Sequence, residues 1–395
     1  MEIRGFRFSA TAAGIKDAQS DRLDLGLIVS DTPAVTVGVT TTNLVCAAPV
    51  VLTRKRLEKG LCSAVLLNSG NANAYTRERG MTDALELTGR TAIELGIDQD
   101  LVIPMSTGVI GNPMPTDRIL AHIPDLVAGL DARKLPDVAR AIMTTDTVPK
   151  TVALDDTVSS GPVRMVGLAK GSGMIAPNMA TMLAVIMTDM EVEAPFLREC
   201  LQEANRVSFN RITVDGDTST NDTLIIMAGG RPDAVRLGVT DSDRSCFASM
   251  LRRVCTDLAH MIVSDGEGAT KVIRVRVLGA PDQDAAEKVA RTIAESPLVK
   301  TAFHGEDPNW GRIICAAGRA GVMFDPDRVD LVIGDVPVVI RGSLVSDDWE
   351  PQAAAAMKGK EITVLLDLKS GGGKADILTT DLSAEYVRIN ADYRS

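Results

Sequence analysis

Residues 181–189, TMLAVIMTD, and 222–230, DTLIIMAGG, are apolar at nearly every position instead of at every second one. A strand with one wet face alternates apolar and polar residues, so an unbroken run of strand length belongs to a sheet covered on both faces. LGLIVSD (25–31), AVTVGVTT (34–41), SAVLLNSG (63–70) and VRMVGLA (163–169) are further β-branched runs, each read as a strand bounded by Gly, Asn, Asp or hydroxyl residues. Between the strands, residues 80–96, 116–130, 195–206 and 243–263 repeat apolar residues at helical spacing. In the last of these, Phe247, Met250, Leu251, Val254, Leu258, Met261 and Ile262 form one stripe. Helices therefore cover sheets, and the fold class is α/β.

At roughly 100–200 residues per domain, 395 residues predict two or three domains. GAPDQ (279–283) breaks the pattern, which divides the chain into a larger α/β domain over 1–280 and a smaller α+β domain over 281–395. The smaller one opens with the helical stretch DAAEKVARTIAESP. It continues with a strand pair around Gly334-Asp335, a helix near 350–357 and the strand EITVLLDL.

A formal net charge of -10 and a pI near 5.0 argue against a basic face for nucleic acid or anionic lipid, and favour small-molecule partners. The start MEIRGFRFSATAAGI has no apolar signal core, and no stretch reaches the ~20 apolar residues that span a bilayer, so a cytoplasmic protein without membrane contact is expected. Cys46, Cys62, Cys200, Cys246, Cys255 and Cys315 are scattered without C-x-x-C pairs or zinc spacing, which reads as free thiols and no metal. Phosphate-loop and G-x-S-x-G motifs are absent, and no cofactor is expected. Of three histidines, His122 and His260 lie in helical patterns and only His304 sits among loop formers, a poor basis for a histidine-driven triad.

Threonine offers another chemistry. A hydroxyl at the first residue of a chain can be activated by its own α-amine, whose pKa of ~7.7–8.0 leaves it partly free at neutral pH. Thr181 stands between the glycine-rich approach KGSGMIAPNMA and the apolar run, and small Ala180 lets Oγ approach the preceding carbonyl. An N-to-O acyl shift and ester hydrolysis would then release the amine. A threonine opening a strand is also an ordinary β-former, and spacing alone leaves both readings open. PMSTGVIGNP (104–113) sets Thr107 and Gly108 where a hydroxyl and an N–H can face an oxyanion, or where a strand simply turns. NSGNANAYT (68–76), IMTTDTVPK (142–150), VDGDTSTNDT (214–223) and SDGEGATK (264–271) are polar loops suited to turn chemistry or substrate contact; the third lacks calcium-loop spacing.

Taken in order, MSTGVIG, IMTTDT, KGSGMIAPNMATML, DGEGATK, DPNWGRI and RINADYRS closely resemble the ornithine acetyltransferase (glutamate N-acetyltransferase) family of arginine biosynthesis, from NSGNANA to the last residue. The resemblance implies a precursor that cuts itself between Ala180 and Thr181 and stays together, as an α2β2 assembly of two processed copies. It implies Thr181 as the nucleophile that takes acetyl from N2-acetyl-L-ornithine and passes it to L-glutamate. Thr107 and Gly108 would form the oxyanion hole, and Thr144, Lys170, Glu267, Asn390 and Ser395 would contact substrate. Some members also use acetyl-CoA as donor, and no motif decides that here. Stacked sheets flanked by helices, laid out like N-terminal nucleophile enzymes, are implied as well. Ala176 departs from the family, where His is frequent, which fits an α-amine base. A self-processing amidase or aminopeptidase of the same fold, and a non-catalytic binder of acidic amino acids, are the competing readings.

Overall fold

The computed structural model describes residues 1–176, 182–345 and 348–392. The chain forms two compact units. Among the described residues, the first comprises Met1–Asn210 with Asp217–Ile262, and the second comprises Arg211–Gly216 with the chain after Ile262.

In the first unit, β1 (Phe6–Thr11), β2 (Leu25–Thr40), β3 (Leu61–Asn68), β4 (Val102–Ser106), β5 (Lys150–Val158), β6 (Gly161–Lys170) and β7 (Leu183–Thr188) belong to one hydrogen-bonded path. β8 (Met190–Glu191) leaves it, and β9 (Thr223–Ala228) returns to it. β8 pairs in parallel with β10 (Val235–Arg236). The helices are α1 (Ala48–Leu57), α2 (Arg77–Leu95), α3 (Thr116–Ala128), α4 (Leu135–Ala141), α5 (Ala194–Val207) and α6 (Asp241–Ser264).

Among the described residues the strand order is β4-β3-β2-β9-β7-β6-β5, with β1 on the outer part of β2. The sequence suggests two strands over 25–41, whereas the chain forms one, because its pairing shifts between Val29 and Ala34 without ending. At that bend the amides of Asp31 and Thr32 are taken up by the carbonyls of Gly5 and Gly230, so no backbone donor is orphaned. β2 thus serves two half-sheets. One core cluster unites Val65, Leu67, Ile103 and Met105 of β3 and β4 with Val166, Leu168, Val185, Met187, Ile225 and Met227 of β6, β7 and β9. Strands so far apart in pairing order share a core only if the halves stack face to face.

Helices seal the outer faces. Leu87 of α2 and Ile119 and Ile123 of α3 pack on Leu25, Leu27 and Leu66. On the other half, a Cβ on Gly167 would lie 2.7 Å from Val254 Cγ1 and 2.8 Å from Leu258 Cδ1, so glycine lets α6 approach β6 closely. Every residue of β7 and β9 is buried as a result, which is what their unbroken apolar runs require.

The second unit carries β11 (Val272–Ala280), β12 (Asp330–Ile333), β13 (Val336–Ile340), β14 (Ser343–Leu344), β15 (Glu361–Asp367) and β16 (Gly373–Thr380), ordered β14-β13-β12-β15-β11-β16 among the described residues. Its helices are α7 (Gln283–Ala294), α8 (Pro297–His304), α9 (Trp310–Gly318), α10 (Trp349–Ala356) and α11 (Ala384–Asp392). The hairpin at Gly334 turns through φ 63°, a left-handed value natural to glycine. β15 alternates: Ile362, Val364 and Leu366 are buried, and Glu361 is exposed. Asp282 caps α7 by accepting the Ala285 N–H at 2.8 Å, a bond worth about 1 kcal/mol. The stripe Ala286, Val289, Ala290 and Ile293 then packs on Val275 and Val277.

Candidate active site

β5 and β6 are antiparallel, with Lys150 opposite Ala169, so Lys150 at the start of one strand and Lys170 at the end of the other emerge at the same edge. Lys170 is paired with Leu183, which begins β7. Both lysines are buried, and the carboxylate between them is Asp146, from the polar loop after α4. Asp146 Oδ1 accepts Lys150 Nζ and the Gly171 N–H, both at 2.7 Å, and Oδ2 accepts the Thr144 N–H at 3.0 Å. Lys170 Nζ lies 4.0 Å from Oδ2. Burial works against the Asp146 charge, but Lys170 and Lys150 outweigh it and hold the carboxyl down at about 2.

Lys170 Nζ donates to Thr144 Oγ1 at 2.8 Å and reaches Thr107 Oγ1 at 3.3 Å. Three of the sequence-predicted residues are therefore in one hydrogen-bonded group. Gly108 has φ 130°, and a Cβ there would stand 2.4 Å from the Gly70 carbonyl carbon, so only glycine fits. The amides on either side are occupied, Thr107 N–H by Asn68 O and Val109 N–H by Gly70 O, whereas the Gly108 N–H has no backbone partner among the described residues. A threonine hydroxyl beside a lysine ammonium and an uncommitted N–H is donor chemistry for a developing oxyanion.

The asparagines of NSGNANAYT brace this loop. Asn68 Oδ1 accepts Ser106 Oγ at 2.6 Å and Asn68 Nδ2 donates to Asn71 O at 2.9 Å; Asn73, at φ 47°, donates to Gly80 O at 2.8 Å. Of the two uses the sequence leaves open for this stretch, these bonds are turn chemistry. Asn221 ties the two half-sheets together at the same edge, donating to Ala72 O at 2.6 Å and Ser106 O at 2.8 Å.

Asp146, Lys150, Asn221 and Asp222 are residues that sequence reasoning does not single out. Asp222 precedes β9, accepts the Met182 N–H through Oδ1 at 3.0 Å and is buried. Ala180 and Thr181 lie outside the described residues. Met182, the residue bonded to Thr181, is fixed on both sides, since its carbonyl accepts the Thr223 N–H at 3.0 Å.

In the second unit the structure brings Glu267 and Asn390 together, Asn390 Nδ2 donating to Glu267 Oε2 at 2.7 Å. Glu267 is buried in the loop after α6, and Gly268 beside it has φ 66°. A Cβ on Gly268 would meet Tyr386 N at 2.5 Å, so this glycine admits the first turn of α11. Ser383 Oγ donates to Gly268 O at 2.6 Å, and Tyr386 Oη reaches Asp215 Oδ2 at 3.3 Å. Val387 is exposed. His304 Nδ1 lies 2.8 Å from Asp381 Oδ2; Asp381 also accepts the N–H groups of Thr270 and Lys271, which anchors the loop that bears Glu267. Ser395 and Tyr393 lie outside the described residues.

Among the described residues no cluster of His, Cys, Asp and Glu is arranged to hold a metal ion, and no helix is long and apolar enough to cross a membrane.

Residues 7–395 match the ArgJ family. The arginine biosynthesis bifunctional protein ArgJ of Geobacter sulfurreducens is 49% identical over 395 residues, covering 100% of both chains. That of Desulfotalea psychrophila is 50% identical over 397 residues, again covering 100% of both. A crystal structure of the ArgJ protein from Bacillus halodurans, at 40% identity, matches over 52% of this chain and 96% of its own with a TM-score of 0.49.

Proposed function

The chain belongs to the ArgJ family, and from that premise we propose that it is a self-processing glutamate N-acetyltransferase of arginine biosynthesis, moving acetyl from N2-acetyl-L-ornithine to L-glutamate through acetyl-Thr181. The observation that carries the site is the buried Lys170 ammonium between Thr144 and Thr107, on the strand next to the one that Thr181 precedes.

Cleavage between Ala180 and Thr181 yields chains of 180 and 215 residues and an α-amine on the nucleophile. That amine takes the Oγ proton as Oγ attacks the acetyl carbon. The Thr107 hydroxyl and the Gly108 N–H stabilise the oxyanion, and the proton passes to the departing ornithine nitrogen. Glutamate's amine then attacks the acetyl-threonine ester in the reverse sense. Lys170, a buried ammonium, suits a substrate carboxylate. Glu267, with Asn390, suits an ammonium group. Ser395 completes the set of substrate contacts, and the processed enzyme works in the cytoplasm as α2β2.

Intact mass and a denaturing gel test the reading. Wild type runs as two fragments, Thr181→Ala as one inactive chain, and Thr181→Ser cleaves and keeps weak activity. An uncut wild type that is active would sink the α-amine mechanism. Thr107→Ala lowers kcat by about 10²–10³, and a change confined to KM would reassign it to binding. Acetylornithine and acetyl-CoA assayed in parallel decide whether one donor is used or two.

A further inference from the structure

The loop between β1 and β2 reaches two parts of the candidate site at once. Its anchor is Asp24, a buried carboxylate that accepts the Ala13 N–H at 2.6 Å and the Ile15 N–H at 2.5 Å. The Asp24 carbonyl accepts the Ser69 N–H at 2.9 Å, which seats the loop against the stretch that leads to Gly70. A Cβ on Gly70 would stand 3.0 Å from both the Cβ and the backbone nitrogen of Lys16, so Lys16 packs on the residue that also packs on Gly108.

Arg22, on the same loop, donates through Nη2 to Met143 O at 2.6 Å and to Thr144 O at 3.3 Å. Thr144 is the residue whose hydroxyl accepts Lys170 Nζ at 2.8 Å. Two cations are thereby attached to the two oxygens of one threonine. Those oxygens are four bonds apart, which keeps Arg22 Nη2 within about 11 Å of Lys170 Nζ whatever the rotamer. Arg22 is exposed, and among the described residues its Nε and Nη1 have no hydrogen-bond partner and no carboxylate pairs with it. Burial, and after it the Arg22 charge, pulls the Lys16 ammonium below its usual value, so the two cations of this loop lie in each other's field. An anion that arrives beside them relieves the repulsion.

The two amino acids of the proposed reaction differ in the charge they bring here. Both carry an α-carboxylate, which suits Lys170. The side chain of glutamate ends in a second carboxylate, whereas that of acetylornithine ends in an ammonium. A five-carbon dicarboxylate that accepts an N–H at each end bridges up to about 12 Å, enough to join Lys170 to Arg22.

We propose that Arg22, with Lys16 beside it, sets the specificity for the acetyl acceptor: it takes the side-chain carboxylate of glutamate while Lys170 holds the α-carboxylate. This rests on the transferase reading above. The guanidinium is fixed through Nη2 and turns its remaining donors to the carboxylate. The side-chain ammonium of acetylornithine meets like charge there and gains nothing from Arg22.

Donor and acceptor react in separate halves of a ping-pong cycle, so kcat/KM for each reports its own half. Arg22→Gln should lower kcat/KM for glutamate about tenfold or more, the loss of a charged hydrogen bond, and leave the value for acetylornithine where it is. Lys16→Gln should act on glutamate in the same direction and by less. Glutamine offered as acceptor isolates the charge: wild type should favour glutamate over it, and Arg22→Gln should narrow that preference. A fall shared equally by both substrates would make Arg22 a brace for the Thr144 loop, and no fall for glutamate would leave it outside the site; either result overturns the proposal. Wild type that moves no acetyl from acetylornithine to glutamate would instead sink the transferase reading, before any variant is made.

Discussion

Each unit buries a lysine at the edge of its sheet, and the two are kept in opposite ways. Lys150 in the first unit is paired with a carboxylate at 2.7 Å. Lys300 in the second donates only to neutral oxygens: Val214 O and Thr380 O at 2.7 Å, and the hydroxyls of Thr379 and Thr380 at 3.0 Å. Burial pulls Lys300 down to about 8, against the more distant pull of Asp215, Asp381 and Glu295. The first arrangement retains charge at the place where the proposed function has a substrate carboxylate received. The second ties residues 211–216 to β16 and has no need of charge.

The contrast breaks most violently at Asp146. Asp146→Ala strips the carboxylate from two buried lysines, and removing one partner of a buried pair costs about 3–5 kcal/mol. The urea midpoint should drop accordingly and transfer activity should vanish; a midpoint near wild type would mean that Lys150 and Lys170 are not held as charges.

Lys300 sharpens the comparison through pH. Between pH 8 and about 10.5 the unfolded chain still binds this proton and the folded chain does not, so stability rises with pH across that window. The rise amounts to about 3 kcal/mol, the penalty that burial imposes in full below pH 8. Lys300→Met should flatten this slope, and an unchanged slope would assign it to other groups.

Asp146 gives a slope of the same sign in an acidic window, but there the ionised form is the stabilising one. Its folded carboxyl titrates near 2, below the ordinary 3.8. Its contribution of about 2 kcal/mol is present above pH 4 and lost as pH falls through 2. Acid unfolding of wild type and Asp146→Asn should therefore converge at the lowest pH. Smallest is Glu267→Gln, which keeps an acceptor for Asn390 and removes only a charge: the midpoint should move by under about 0.5 kcal/mol while KM for acetylornithine rises several-fold. An unmoved KM would remove Glu267 from the substrate.

Legibility in the sequence follows burial pattern. The unbroken runs of β7 and β9 announce a sheet covered on both faces, and the stripe of α6 announces its cover, because those patterns are the direct imprint of two-sided and one-sided burial. The stacking of the halves is not legible in periodicity, since it depends on a bend in β2 that shifts register without a break in β-forming residues. Resemblance supplies Thr107, Gly108, Thr144 and Lys170, and the structure gathers them. Asp222 escapes for a physical reason: Asp217 and Asp222 sit in one polar loop, alike in type, yet only Asp222 is enclosed. Its one available signal is its place just ahead of TLIIMA, a run buried throughout.

The strand order has a consequence for a chain severed at 180/181. β7 and β9, which follow the cut, are inserted between β2 and β6, which precede it. The two fragments are interleaved, joined along the β2–β9 and β7–β6 seams, and neither can leave without dismantling a buried sheet. Assembly is a one-molecule search while the peptide bond is whole and becomes a two-molecule encounter once it is gone. On the proposed cleavage, the precursor carries folding information that the cut protein has discarded. Denatured and diluted fragments should recover at a rate set by their concentration, whereas uncut Thr181→Ala should refold at a rate independent of it.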